Sequence, residues 1–280
     1  MEQLSNNKKL HPLSLQTVAM SMCAVLYAVG SYATAYIPSP WGFGQFRPAV
    51  VIPAFFATIF GPTPAAFGAA IGTLIADSAK HGYVYPGSLL AAVPGNFIGF
   101  YLFGYIVKKF TWGRFVLAAN VTLTIANAIV AFLYVFLFKL LYLGDLKYVS
   151  MTPDLLVLLS TGLTIWWFVT MLPFVLLFTP LLIRATSAAF PSIVSETLKT
   201  HSLRQELPKI TFSLAMLVPG LIMITVGLAT TYINLASIPL GAQIMFYASG
   251  ITLSSLGVLI YMGHSFFIKK PLFEKTKNGN

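Results

Sequence analysis

The sequence predicts an all-α integral membrane protein, and three observations carry that reading. Eight apolar stretches, each near the length that crosses a bilayer, run from Ser14 to Phe267. Almost every charge lies between these stretches rather than within them. The 280 residues are 57% hydrophobic and only 9% charged, with a mean hydropathy of +0.82, too few charges to keep a soluble surface wet. A spanning helix needs about 20 apolar residues for a hydrocarbon core of roughly 30 Å. Eight such spans with short loops use nearly the whole chain and leave no room for a soluble catalytic domain.

Span 1 is expected over Ser14–Ile37. It follows Lys8 and Lys9 as a signal peptide would, but its apolar run exceeds the roughly 7–15 residues of a signal core, so it reads as an uncleaved span. Spans 2 and 3, over Pro48–Phe60 and Thr63–Ser78, are short. Gly61-Pro62-Thr63-Pro64 separates them, a turn signal at which span 2 must end. Such short spans either cross a thinned bilayer or are shielded from lipid by neighbours. Span 4 covers Gly87–Val107 and stops at Lys108 and Lys109. Span 5 covers Phe115–Leu141, and span 6 runs from Asp154 to Ile183, where Arg184 ends it. The longest polar stretch follows, Thr186–Lys209. Its apolar residues Phe190, Ile193, Val194, Leu198 and Leu203 recur at near-helical spacing, which reads as a surface-lying amphipathic helix or a plain linker. Spans 7 and 8, over Ile210–Ile233 and Ala242–Phe267, form a hairpin with an uncharged connection. The domain organisation expected is therefore a six-helix bundle in residues 1–184, a cytoplasmic linker in 185–209, and a transmembrane hairpin with a basic tail in 210–280.

The distribution of Lys and Arg sets the orientation. With the N-terminus inside, thirteen of the 17 basic residues fall on inner loops, and only Arg47, Lys80, Lys139 and Lys147 fall on outer ones. An even number of spans places both termini in the cytoplasm of a multi-pass cell-membrane protein. The net charge of +10 follows from this arrangement at helix ends, not from a nucleic-acid-binding patch. The single Cys23 cannot form an internal disulfide.

Enzymatic chemistry is not expected. The chain has no HExxH, CxxC, GxSxG or GKS/GKT signature. Its four histidines, His11, His81, His201 and His264, are scattered near helix ends and in loops, which makes no metal-ligand set. No cofactor is expected.

The most informative local sequence is GQFRPAVVIPAFFATIFGPTPAAFGAAIGTLIAD, from Gly44 to Asp77. Arg47 opens span 2 on the outer side, and Asp77 ends span 3 at the same level. An ion pair between them is expected, because either charge alone would be costly at membrane depth. It either fixes the hairpin or contacts a ligand. The run Ala65, Ala66, Gly68, Ala69, Ala70 and Gly72 allows close helix packing in lipid.

This stretch, with its Arg-Pro, Phe-Gly-Pro and small-residue run ending in Asp, resembles the helix 2–3 region of the substrate-binding S components of energy-coupling factor (ECF) vitamin transporters. Residues 1–184 match that family's six-helix size and orientation. The resemblance implies a vitamin-like ligand held in the outer half of the bundle under the first loop. It also implies a separate transmembrane coupling subunit and separate ATPase subunits, docked through small residues such as Ala24 and Ala28. The hairpin of spans 7 and 8 departs from the family pattern.

The residues themselves point to the same region. Trp41 and Phe43 sit on a Gly/Pro hinge between spans 1 and 2, suited to covering a flat ligand. His81, Tyr83 and Tyr85 lie between spans 3 and 4, although aromatic residues also collect at membrane interfaces without binding anything. Asn96 and Asn127 are polar groups that lipid cannot satisfy and are candidate ligand contacts, whereas Asn120 fits helix-to-helix bonding. Trp166 and Trp167 are adjacent, so only one can face the bundle. Lys139, Lys147, Asp145 and Asp154 read as solvated rim charges. The function expected is that of a substrate-specific importer subunit. The alternatives are a ligand-sensing membrane module and a self-contained secondary transporter; the latter would favour an internal repeat and an intramembrane carboxylate.

Overall fold

The computed structural model describes residues 13–39, 42, 44–196, 198, 209–232 and 240–267. Every regular element among them is helical, and extended pairing is limited to an isolated antiparallel bridge between Pro38 and Gln45. The elements are α1 (Leu13–Ala33), α2 (Val51–Phe60), α3 (Pro62–His81), α4 (Val93–Val107), α5 (Trp112–Phe132), the short α6 (Asp145–Tyr148), α7 (Pro153–Ala189), α8 (Lys209–Tyr232) and α9 (Leu240–Phe267). A single tight turn, Pro48–Val50, leads into α2. Two wider π-helical segments, Ser88–Ala92 and Leu133–Tyr142, lead into α4 and extend α5.

Among the described residues, six helical stretches are long and apolar enough to cross a membrane: Leu13–Ala33, Ser88–Val107, Trp112–Tyr142, Pro153–Ala189, Ile210–Ala229 and Gln243–Met262. They give the chain the makeup of a multi-pass membrane protein. The other two expected spans differ in kind. Pro48–Phe60 is apolar but short. α3 has 20 residues, enough for about 30 Å of rise, yet it falls outside the apolar spanning set. Burial explains this. Ala65, Ala66, Gly68, Ala69, Ala70, Gly72, Thr73, Ala76 and Asp77 are all buried, and the exposed residues form the narrow stripe Thr63, Phe67, Ile71, Ile75 and Ala79. A helix enclosed by protein on most sides has no need of a broad apolar surface.

The corner between α2 and α3 follows from its residues. Gly61 has φ +93°, a left-handed conformation that favours glycine, and Pro62 starts α3 where its missing N–H costs nothing. α3 ends at Gly82, φ +77°, whose N–H donates to the Ser78 carbonyl at 2.8 Å. Threonines cap two other helices. Thr111 Oγ1 accepts from the Arg114 N–H at 3.1 Å, and Thr152 Oγ1 from the Leu155 N–H at 3.4 Å.

The chain divides into two compact units, Met1–Gln205 and Glu206–Asn280. In the first, α3 packs between α1 and α4, and α5 packs between α4 and α7. Glycines bring these helices close. A Cβ on Gly68 would stand 2.5 Å from Cys23 Cβ, and one on Gly72 would stand 2.7 Å from the Ala24 carbonyl oxygen. Thr122 Oγ1 donates to the Gly99 carbonyl at 3.1 Å, joining α5 to α4. α7 runs to Ala189, past the expected end at Ile183, so Thr186–Ala189 are helical rather than linker. Of the surface helix expected further on, residues 190–195 form turns rather than helix, and most of the remainder lies outside the described residues.

In the second unit, α8 and α9 pack along a seam of small residues. Ser213 Oγ donates to the Gly257 carbonyl at 2.7 Å. A Cβ on Gly220 would stand 2.5 Å from Ser254 Oγ, and one on Gly250 would stand 2.6 Å from the Gly220 carbonyl oxygen.

Candidate ligand-binding site

The first unit holds a partly open cavity of about 190 Å³. Its wall is contributed by α1, the segment Pro38–Arg47, the end of α3, α4, α5 and α7. A cavity of about 150 Å³ accepts a benzene ring, so this one suits a small molecule of one or two rings.

One wall is a charged network. Arg47 pairs with Asp77 and also donates to Thr73 Oγ1, with all three residues buried. Gln45 Nε2 donates to the same Asp77 oxygen at 3.4 Å. The charges expected to meet at one level do meet, and each neutralises the other where water is scarce. Beside them, Tyr27 O–H donates to Asn96 Oδ1 at 3.4 Å, and Asn96 Nδ2 donates to the Ala92 carbonyl at 2.8 Å.

A second wall is aromatic. The His81 and Tyr85 rings stack with centroids 3.8 Å apart and planes 2° from parallel. His81 Nδ1 lies 2.7 Å from the Asp77 carbonyl oxygen. Because a carbonyl only accepts, Nδ1 carries the proton in this contact. The Tyr85 and Tyr134 hydroxyls bond at 3.2 Å, and burial pushes the Tyr85 phenol up, so it remains a neutral hydroxyl. The two π-helical segments pack against each other here and supply Ser88 and Tyr134 to the wall. Such widened turns recur at functional sites because they re-aim side chains.

The third wall is the segment between α1 and α2. It folds back on itself, with the Phe46 N–H donating to the Ile37 carbonyl at 2.8 Å and the Ser39 N–H to the Gly44 carbonyl at 3.2 Å. Thr34 Oγ1 holds the Phe46 carbonyl at 2.7 Å, Lys80 Nζ holds the Ala35 carbonyl at 2.6 Å, and Trp167 Nε1 holds the Gln45 carbonyl at 3.0 Å. Gly44, φ +75°, packs so closely that a Cβ would stand 2.5 Å from Trp167 Cζ2.

Of the residues singled out in the sequence, Arg47, Asp77, His81, Tyr85, Asn96 and Asn127 line this cavity. Tyr83 does not. It is 59% exposed, with its ring edge-on to His81 and Tyr85. Trp41 and Phe43 lie outside the described residues. Ala24 and Ala28 require a correction. Both are buried on the α1 face with Cys23 and Tyr27, where α3 packs closely, and they present no outward docking surface. The exposed face of α1 is instead Val18, Met22, Val25 and Val29. Trp167, not Trp166, is the buried member of its pair. Lys139 pairs with Asp145 at 3.0 Å, away from the cavity wall.

The site also uses Tyr27, Gln45, Lys80, Ser88, Tyr134 and Trp167, which were not assigned to it from sequence. A signal existed for Tyr27 and Tyr134: each places a hydroxyl inside an apolar run that lipid cannot satisfy.

Fold and site together define a multi-pass helical membrane protein with a partly open, partly polar cavity. No family model, curated protein or solved structure matches the chain.

Proposed function

We propose that this chain is the substrate-binding membrane subunit of an ECF-type importer. It takes a small, vitamin-like molecule from the outer face and delivers it inward. The observation that carries the reading is the cavity of about 190 Å³, walled by paired charges, amides and aromatic rings. Such a mixture, mainly apolar with a few fixed polar groups, is characteristic of small-molecule sites. The Arg-Pro to Asp stretch that resembles the family builds one wall of it through Arg47 and Asp77, with Thr73 holding Arg47.

In this reading, both termini face the cytoplasm, as the Lys/Arg bias indicates, and the Pro38–Arg47 segment lies outermost over the ligand. The sequence lacks a phosphate-binding GKS/GKT loop, so energy comes from separate ATPase and coupling subunits. α8 and α9 form an additional transmembrane hairpin. The exposed α1 face, Val18 to Val29, contacts lipid or the coupling subunit.

Reconstitution tests the reading. Proteoliposomes containing this chain with a coupling subunit and ATPase subunits should take up the ligand only when ATP is supplied. Uptake by this chain alone, driven by an ion gradient, would establish a secondary transporter instead.

A further inference from the structure

The polar atoms on the cavity wall divide into those already bonded and those left over, and the remainder describes a ligand. Asn127 is only 6% exposed, yet its Nδ2 has no hydrogen-bond partner. Ser88 is 1% exposed, and its Oγ is likewise unpartnered. Gln45 uses its amide nitrogen on Asp77 and leaves buried Oε1 without a donor. All three residues line the same cavity. Buried polar groups are rarely left unpaired, because each costs desolvation without return. Here one free group is an obligate donor, one is an obligate acceptor, and one is a hydroxyl that can act as either.

The charges lead to a complementary conclusion. Arg47 and Asp77 are engaged with each other, with Thr73 and with Gln45. Among the described residues of the wall, Lys80 is the other cation. Its ammonium donates to the Ala35 carbonyl and lies 5.6 Å from the centre of the Tyr36 ring, a residue that is 65% exposed. The ammonium is thus already engaged by a backbone carbonyl and an aromatic face.

We infer that the cavity selects an uncharged, planar heterocycle bearing both a carbonyl-type acceptor, for Asn127 Nδ2, and an N–H donor, for Gln45 Oε1, with Ser88 completing the set. The inference rests on the binding part of the importer reading and is independent of how transport is energised.

The test uses two matched pairs of probes: uracil with its 6-carboxylate, orotate, and nicotinamide with nicotinate. In each pair the acid bears a carboxylate that the neutral probe lacks. Ligand-observed NMR on the full chain in lipid nanodiscs measures their affinities. The expected result is saturable binding of at least one neutral probe, at least tenfold tighter than its acid. N127L should weaken that binding at least tenfold while its thermal midpoint stays level or rises, because Leu removes an unpaired amide from the interior. S88A should weaken binding about fivefold, as expected for one neutral hydrogen bond. Acids that bind as well as the neutral probes, or no binding by any of the four, overturns the inference. So does a lowered midpoint in N127L, which would make Asn127 a packing residue, or unchanged affinity in that variant. Failure here leaves ATP-driven uptake as a separate question for the reconstituted system.

Discussion

Trp167 Nε1 donates to the Gln45 carbonyl at 3.0 Å, tying the middle of α7 to a segment 122 residues earlier. The indole also fills the space beside Gly44, whose φ of +75° permits the close approach. This contact fixes the α1–α2 segment of the cavity wall to α7. Trp167→Phe keeps much of the packing and removes the N–H. One neutral hydrogen bond contributes about 1 kcal/mol, so ligand affinity should fall roughly fivefold to tenfold, mainly through faster release. Stopped-flow dissociation of a fluorescent or labelled ligand reads this directly. Gly44→Ala should be worse, because it adds both backbone strain and overlap with the indole.

The Arg47–Asp77 pair should prove necessary as a pair rather than as two separate charges. Asp77→Ala leaves a buried guanidinium without its counter-ion, and a loss of about 3–5 kcal/mol is expected. The double variant Arg47→Met with Asp77→Leu removes both charges and should recover most of that stability. Thermal unfolding in detergent distinguishes the two. Ligand binding should remain impaired in the double variant, since Gln45 loses the oxygen that orients its amide.

Enlarging the α1–α3 seam should damage the fold rather than partner docking. Ala24→Leu forces side-chain atoms against the close backbone approach at Gly72, at a cost of about 1–3 kcal/mol. Stability and ligand binding should fall together. Val25→Ala, on the exposed face of α1, should leave both nearly unchanged.

Thr122→Val deletes the hydroxyl that bonds the Gly99 carbonyl while keeping the side-chain shape. A loss of about 1 kcal/mol is expected, visible as a modest drop in thermal midpoint. Because Thr122 also lines the cavity, unchanged stability with weakened binding would reassign it from helix packing to ligand contact.

How far the sequence carried the structure can be judged from particular residues. Helix positions follow from apolar run length, and the α2–α3 corner follows from Gly61-Pro62, because these are local properties. The Arg47–Asp77 pair was readable because two charges at one membrane depth need each other. Asn127 stood out because an amide in an apolar run demands a partner. The facing of small residues was not readable. Ala24 and Ala28 look the same in sequence whether they meet a partner protein or α3, and only the packing turns them inward. Tyr85 and Tyr83 differ by two positions in one loop, yet one stacks on His81 against the cavity and the other is exposed. Trp167 was separated from Trp166 only by the rotation of α7. The wide turns at Ser88–Ala92 and Leu133–Tyr142 leave no composition signal, although they place Ser88 and Tyr134 in the wall.

Native mass spectrometry of the intact chain, purified from cells grown in rich medium, tests the central claim most directly. A one-to-one adduct with a small molecule should survive gentle detergent release and be absent from N127L. Spectra showing only bare protein with detergent and lipid, in wild type and variant alike, would contradict it.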